Sequence, residues 1–255
     1  MAGISWYQNE NSNGALNQHY LIDHIPLYSL ADVQLRFLCP NDLDEVRTLC
    51  QDWFPIEYPL SWYEEITSGT RFYALAATYN QIIIGLIVAE IKPYASLNSE
   101  DQGFLANSFL KHSDVAYILS LGVAKQYRRN GIASLLLNSL INHLTSNDRN
   151  KIKAIFLHVL TTNSAAIMFY ENKKFKLHCF LPYYYSIKGR CNDGFTYVLY
   201  VNGGHSPWTL IDYLRYFCKN ILLGGGAFPW LLSSFSKFMY WMWSSRKITQ
   251  HPDVD

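Results

Sequence analysis

The sequence predicts an α/β fold built on a mixed sheet. From residue 114 onward apolar, strand-like runs alternate with helical patterns: "VAYILSLGV", "SLLLNSLINHLT", "IKAIFLHVL" and "NSAAIMFYEN". Two more strand signals, "FKLHCFLPYYY" and "GFTYVLYV", then close the set with no helix between them. Upstream, "RFYALAATYNQIIIGLIVAEIK" reads as two strands joined by a turn at Tyr79-Asn80. Strands joined by a tight turn pair antiparallel, and strands separated by a helix pair parallel, so both pairings are expected in one sheet.

Taken in order, residues 1–20 lack the basic start and apolar run of a signal peptide, and residues 1–32 read as a loose extension. A first strand is expected at 33–38. "PNDLDEVRTLC" follows as a helix, with Pro40 and Asn41 at its start and Asp42 and Asp44 in its first turn. Leu43, Val46, Leu49 and Cys50 share one of its faces. The two prolines of "DWFPIEYPLSW" forbid a continuous helix there. Residues 93–113 form a polar loop of a length that is functional or mobile more often than incidental. "GGHS" at 203–206 punctuates the chain, and its character then changes. Residues 207–247 hold eleven aromatics and one acid, Asp212, against five basic residues. The expected plan is an extension (1–32), a catalytic-sized domain (33–206) and a C-terminal module (207–255).

The bulk composition excludes several classes. With 49% hydrophobic and 16% aromatic residues in 255, the chain has material for a real core. A net charge of +1 gives no ground for a nucleic-acid partner. Cys39, Cys50, Cys179, Cys191 and Cys218 are scattered, which argues against a disulfide framework or a zinc site and fits a reducing compartment. No metal is expected, and no apolar run reaches the length of a transmembrane helix.

"YRRNGIAS" (127–134) lies between an apolar strand and a helix. Unpaired amides and the positive dipole end gather at such a start. Gly131 admits a phosphate close to the backbone, Arg128 and Arg129 add charge, and Ser134 adds a hydroxyl. Taken alone, the same letters also describe a basic surface turn before an amphipathic helix. Arg128-Arg129-Asn130-Gly131-Ile132-Ala133 nevertheless resembles the R/Q-x-x-G-x-G/A motif of the GNAT acetyltransferase superfamily. Ala133 stands where many members have glycine.

The resemblance implies a GNAT fold, a mixed and mostly antiparallel sheet flanked by helices, with acetyl-CoA as cosubstrate. The motif's amides, through Ser134, would grip its pyrophosphate, and Leu121, Gly122 and Val123 in "LSLGVAKQYR" would hold the pantetheine arm. "TTNSAAIMFYENKKF" resembles the next strand-to-helix element, where Asn163 and Tyr170, with Glu171, Asn172 and Lys173, would line the thiol end. "DWFPIEYPLSWY", "VAYILSLGV", "LHVLTTN", "LPYYYSI" and "DGFTYVLYVNGGHSPWT" narrow the resemblance to Golgi-associated N-alpha-acetyltransferases within that superfamily.

Strand alternation puts Ala154, Phe156, His158 and Leu160 on one face, and Tyr117 and Leu119 share a face of "VAYILSL". If the two strands are neighbours, Tyr117 and His158 converge on one cleft. By itself a strand histidine reads as a hydrogen-bonded core residue and a strand tyrosine as packing. The resemblance makes Tyr117 and His158 a catalytic pair acting on the amine through ordered water, with Tyr170 a rival proton donor to the thiolate. An α-amine has a pKa near 7.7–8 and lysine one near 10.4, so deprotonating lysine costs about 3–4 kcal/mol more. An imidazole base suits the α-amine.

Phe54, Glu57 and Tyr58 in "FPIEYP" form an expected substrate lip, with Glu57 holding a cationic N-terminus or serving as a solvated turn residue. "PYYYS", read as lying between two strands, offers Tyr183 and Tyr184 to the opposite lip, and Leu119 lines the floor. The alternative for these tyrosines is strand packing. Two such lips make a narrow mouth suited to a slim peptide N-terminus. In the C-terminal module two short amphipathic helices joined by "GGGAF" suit the plane of a membrane surface. They would otherwise pack on the catalytic domain or on another copy.

The favoured reading is an acetyl-CoA-dependent N-alpha-acetyltransferase for protein N-termini starting Met-Lys or Met-apolar. The resemblance places it at the Golgi membrane, peripheral and on the cytosolic face. The alternatives are a histone or protein lysine acetyltransferase and a non-catalytic, membrane-bound CoA-binding scaffold.

Overall fold

A computed structural model of the protein describes residues 30–208. The chain divides into two units between Pro207 and Trp208. The expected N-terminal extension up to residue 29 and the two expected C-terminal amphipathic helices lie outside the described residues.

In the first unit seven strands form one sheet: β1 (Gln34–Phe37), β2 (Phe72–Tyr79), β3 (Ile82–Pro93), β4 (Asp114–Val123), β5 (Ile152–Leu160), β6 (Lys176–Ile187) and β7 (Arg190–Tyr200). Their spatial order is β1-β2-β3-β4-β5-β7-β6, and every neighbouring pair is antiparallel except β4 with β5. Four helices flank them: α1 (Leu43–Trp53), α2 (Leu60–Ser68), α3 (Ile132–Leu144) and α4 (Ser164–Asn172). This is the mixed sheet that the alternation of elements predicts, mostly antiparallel as the resemblance implies.

Local chemistry fixes each junction. Arg36 grips Asp42 through two hydrogen bonds of 2.6 and 2.8 Å, and Asp42 Oδ2 also accepts from the Cys39 amide at 2.8 Å. The Arg36 hydrogen bonds hold the Asp42 carboxyl down at about 2, so it stays a charged tether between β1 and α1. Asn80 and Gln81, with φ of 50° and 67°, turn β2 into β3, the left-handed pair that a tight hairpin requires.

One expectation is met with an addition, and one is overturned. The prolines of "DWFPIEYPLSW" do end one helix, but Pro59 caps the start of the next, and α2 buries Trp62, Tyr63 and Ile66. Proline is tolerated at a helix start because no intrahelical donor is needed there. "PYYYS" does not lie between strands: β6 continues to Ile187 and the turn falls at Lys188-Gly189. The pairing of β6 with β7 instead skips between Leu181 and Tyr185, where Tyr183 adopts a φ of 54°. Pro182, without an amide donor, marks where that ladder breaks.

The loop after β3 is polar at its surface and apolar beneath. Tyr94, Leu97, Phe104 and Leu105 are buried, and pack with Val115, Tyr117, Ala154 and Phe156 in a core of their own. The Tyr94 hydroxyl accepts from the amides of Gly103 and Leu105, the Tyr200 hydroxyl donates to the Phe104 carbonyl, and the Ala106 amide donates to the His205 carbonyl. The loop is therefore braced onto β7 and the segment after it. Against the sheet's other surfaces, α3 and α4 cover one core that includes Ile118, Leu121, Leu136 and Leu157, while α1 and α2 cover another that includes Val46, Trp53, Ile66 and Val88.

Candidate active site

Strands β4 and β5 pair only from Asp114 to Ile118 against Ile152 to Leu157. Beyond that point β4 follows β3 while β5 follows β7, and the two strands part. Leu119 is the extra residue of a bulge, since Val88 pairs with Ser120 and Ala89 with Ile118. A bulge reverses the alternation of faces. Ile118, Leu121 and Val123 therefore all reach the same core.

His158 is the first β5 residue past the parting, and Tyr117 sits one step before it on β4. The Tyr117 ring stacks on Phe156, centroids 4.8 Å apart at 22°, and its hydroxyl lies 3.0 Å from His158 Nδ1. The face shared by Ala154, Phe156 and His158 is the one the alternation implies, and the structure brings Tyr117 and His158 together there. Two further groups meet the imidazole. The Tyr184 hydroxyl is 2.8 Å from Nδ1, and Asp101 Oδ1 is 2.7 Å from Nε2. His158 is 1% exposed. Burial pushes the Tyr117 hydroxyl well above its ordinary range, reinforced by neighbouring Tyr184, Tyr185 and Asp101. Burial raises Tyr184 likewise, with Asp101 adding to it. Both phenols are thus held neutral and able to donate.

At one end of the parting lies the turn before α3. Arg129 and Gly131 take φ of 65° and 81°, and Gly131 caps the helix. Left-handed residues placed this way turn successive amides into one concavity, beside the positive helix end. A cavity of about 170 Å³ opens there, lined by Leu121, Val123, Arg128, Arg129, Gly131, Ile132, Ala133 and Ser134. Tyr127, Ala165 and Phe169 also line it, and nothing in the sequence pattern singles them out. Arg128 Nε donates to the Val123 carbonyl at 3.0 Å, which ties the turn back to β4.

The other candidate cofactor residues lie around this cavity without lining it. Gly122 faces the opposite side, where an added Cβ would lie 2.8 Å from both Phe54 and Trp53 ring atoms. Asn130 donates to the Tyr127 carbonyl. Asn163 caps α4 through Oδ1, accepting from the Ala166 amide, while its Nδ2 is buried without a partner. Tyr170 packs between Phe169 and Phe175, 3% exposed, and burial raises its hydroxyl. Glu171 accepts from the Tyr197 hydroxyl, Asn172 is exposed, and Lys173 reaches Asn138 on α3.

At the other end, Phe54 is buried at the end of α1 and meets Tyr58 edge to face. Tyr58 stacks on Trp62 at 4.1 Å, an aromatic wall completed by Tyr63. Glu57 is exposed on this lip, and Leu119 is half-buried, touching both the wall's core and that of Tyr117. Of the two tyrosines in "PYYYS" expected at the lip, Tyr184 turns inward to His158, whereas Tyr183 is 76% exposed with its amide on Asp193. The Ser120 hydroxyl, next to the bulge, is buried and unpartnered.

Asp101 is the residue that sequence reasoning misses. It lies in "SEDQ", a stretch of the polar loop with neither periodicity nor motif, so no signal short of the folded loop points to it. Among the described residues, no group of three or more His, Cys, Asp or Glu is arranged to hold a metal ion.

Strand β4 links a turn of concave amides at a helix start to a parted strand pair and a phenol–imidazole cluster. Comparison with known proteins gives it a family. The chain is 54% identical over 242 residues to N-alpha-acetyltransferase 60 of Drosophila melanogaster, covering 87% of this chain and 88% of that protein. It is 59% identical over 188 residues to N-alpha-acetyltransferase 60 of Xenopus tropicalis, covering 74% of this chain and 78% of that one. The crystal structure of Arabidopsis thaliana NAA60 in complex with acetyl-CoA superposes with a TM-score of 0.60 at 27% identity, covering 67% of this chain and 99% of that one. The sequence pattern of the Acetyltransferase (GNAT) family matches residues 43–175, across the helices, the turn and the parted strands, and the chain belongs to that family.

Proposed function

We propose that this chain is an N-alpha-acetyltransferase of the NatF type, moving acetyl from acetyl-CoA to the α-amino group of protein N-termini that start with Met-Lys or Met-apolar. One observation carries the reading: a hydrogen-bonded Tyr117–His158 pair lies where β4 and β5 part, between an anion-binding turn and an aromatic mouth. The likeness to N-alpha-acetyltransferase 60 proteins over most of the chain supports it.

The residues fit acetyl-CoA. The concave amides at Arg129–Gly131, with Arg128 and Ser134, suit a pyrophosphate. Leu121 and Val123 give an apolar wall for the arm, and the buried Asn163 Nδ2 lacks the acceptor that an amide-bearing ligand supplies. Acetyl-CoA brings the activated thioester. The chain's own residues orient the amine and receive its proton, which the Tyr117–His158 pair takes as the amine attacks. Phe54, Tyr58 and Tyr184 narrow the approach, and Glu57 meets the cationic N-terminus at the lip. On matched peptides, kcat/KM for an N-terminal methionine should exceed that for an acetyl-capped peptide with an internal lysine by about 10-fold or more, in keeping with the costlier deprotonation of lysine. Equal or faster lysine turnover overturns the reading.

We further propose that residues 33–206 form the catalytic unit and that residues 207–255 hold it on the cytosolic face of the Golgi membrane. The aromatic, net-basic composition of 207–247 supports this. Among the described residues no helix is long and apolar enough to cross a membrane. Removing 207–255 should move the protein from the membrane pellet to the supernatant while peptide acetylation in solution persists. A truncated protein that still pellets with membranes places the anchor elsewhere.

A further inference from the structure

We infer that Asp101 is a positioning residue: it fixes His158 as the Nε2–H tautomer, so that Nδ1 accepts the proton that Tyr117 passes on. The inference rests on the reading of Tyr117 and His158 as the proton-accepting pair, and adds the residue that aims it.

A carboxylate has acceptors only, and Asp101 Oδ1 stands 2.7 Å from Nε2 with both residues buried. The opposite tautomer would set the Nε2 lone pair against the carboxylate and leave Nδ1 carrying a hydrogen, unable to accept. Asp101 therefore selects the form whose lone pair faces the phenols. Nδ1 has one lone pair and two hydroxyls within reach, Tyr184 at 2.8 Å and Tyr117 at 3.0 Å. They cannot both donate to it well. Each phenol is within direct reach of that lone pair, so Tyr117 can hand its proton to Nδ1 without an intermediary. Both phenols thus meet one ring nitrogen and Asp101 the other.

The balance is complete. As the amine nitrogen bonds to the acetyl carbon and the carbon–sulfur bond breaks, the amine proton passes to the Tyr117 oxygen. The Tyr117 proton passes to Nδ1. His158 ends as imidazolium against the Asp101 carboxylate, and the thiolate leaves with CoA. The loop holding Asp101 is not free to drift, because Tyr94, Tyr200 and the His205 carbonyl brace it from three sides.

The test uses the full chain with ¹⁵N-labelled histidine, the His158 signals being assigned by their loss in His158→Gln. Without substrate and above pH 8, the wild type should show hydrogen on Nε2 and an acceptor shift at Nδ1. Asp101→Asn, whose amide can donate to Nε2, should populate the Nδ1–H form. It should lower kcat about 10- to 150-fold, the loss of one charge-assisted hydrogen bond, with both KM values within two-fold. Asp101→Glu should restore part of kcat. A wild-type His158 carrying its hydrogen on Nδ1 overturns the inference, as does an Asp101→Asn protein with unchanged tautomer and kcat. The tautomer is read without any substrate, so an error in the assigned substrate class leaves this result standing.

Discussion

His158→Ala should lower kcat for an N-terminal methionine peptide by about 10²- to 10⁴-fold, the span of a positioned general base. Its affinity for acetyl-CoA should stay within two-fold of wild type, because the cavity beside the α3 turn is lined by other residues. The measurement is steady-state turnover beside calorimetric binding of acetyl-CoA. A control for folding is needed, since the change leaves buried Asp101 and Tyr117, and half-buried Tyr184, without their shared partner. An unpaired buried polar group costs about 1–3 kcal/mol, so a lower thermal midpoint is expected alongside the kinetic loss. Added imidazole should recover part of kcat in the vacated space. Near-wild-type turnover in a folded His158→Ala protein would remove the histidine from the chemistry and return it to the role of a satisfied core residue.

That bland role is a fair reading of "KAIFLHVL" alone, which shows how much of the site a sequence carries. Period-two alternation puts Phe156 and His158 on a shared face, and the same pattern on "VAYILSL" points to Tyr117. Neither says which strands are neighbours, and the parallel pairing of β4 with β5 is what puts the hydroxyl and the ring nitrogen 3.0 Å apart. The geometry of the turn before α3 is legible because it is local: a glycine that must be left-handed and a helix start that must have free amides. Asp101 is illegible for the opposite reason. Its role comes from a contact with a residue 57 positions away, made by a loop whose path is set by Tyr94 and Tyr200. The same holds for α2, where proline's ban on a helix interior conceals its fitness for a helix start. Tyr183 and Tyr184, adjacent in sequence, look like equals there. A broken ladder in β6 turns one outward and the other onto His158.

Gly131→Val should raise the KM for acetyl-CoA about 100-fold, and the reason lies in backbone geometry. Gly131 caps α3 at φ 81°, a region that costs an L-residue about 1–2 kcal/mol and a β-branched one more. The chain can relieve that strain by rotating the peptide out of the left-handed region, which turns the concave amides away from the ligand. Each charge-assisted hydrogen bond lost to a phosphate oxygen is worth about 1.5–3 kcal/mol, so two lost bonds give at least the predicted factor. The discriminating substrate is S-acetylpantetheine, which carries the thioester and the arm but no pyrophosphate. If the amides at this turn hold the pyrophosphate, the variant should use S-acetylpantetheine as well as the wild type does, and the penalty should appear with acetyl-CoA alone. An equal loss on both would mean that the valine disturbs the apolar wall of Leu121 and Val123 instead. An unchanged KM for acetyl-CoA would mean that the phosphates bind elsewhere. The two mutants report on different ends of one cleft: His158→Ala should change kcat and spare cosubstrate binding, and Gly131→Val should do the reverse.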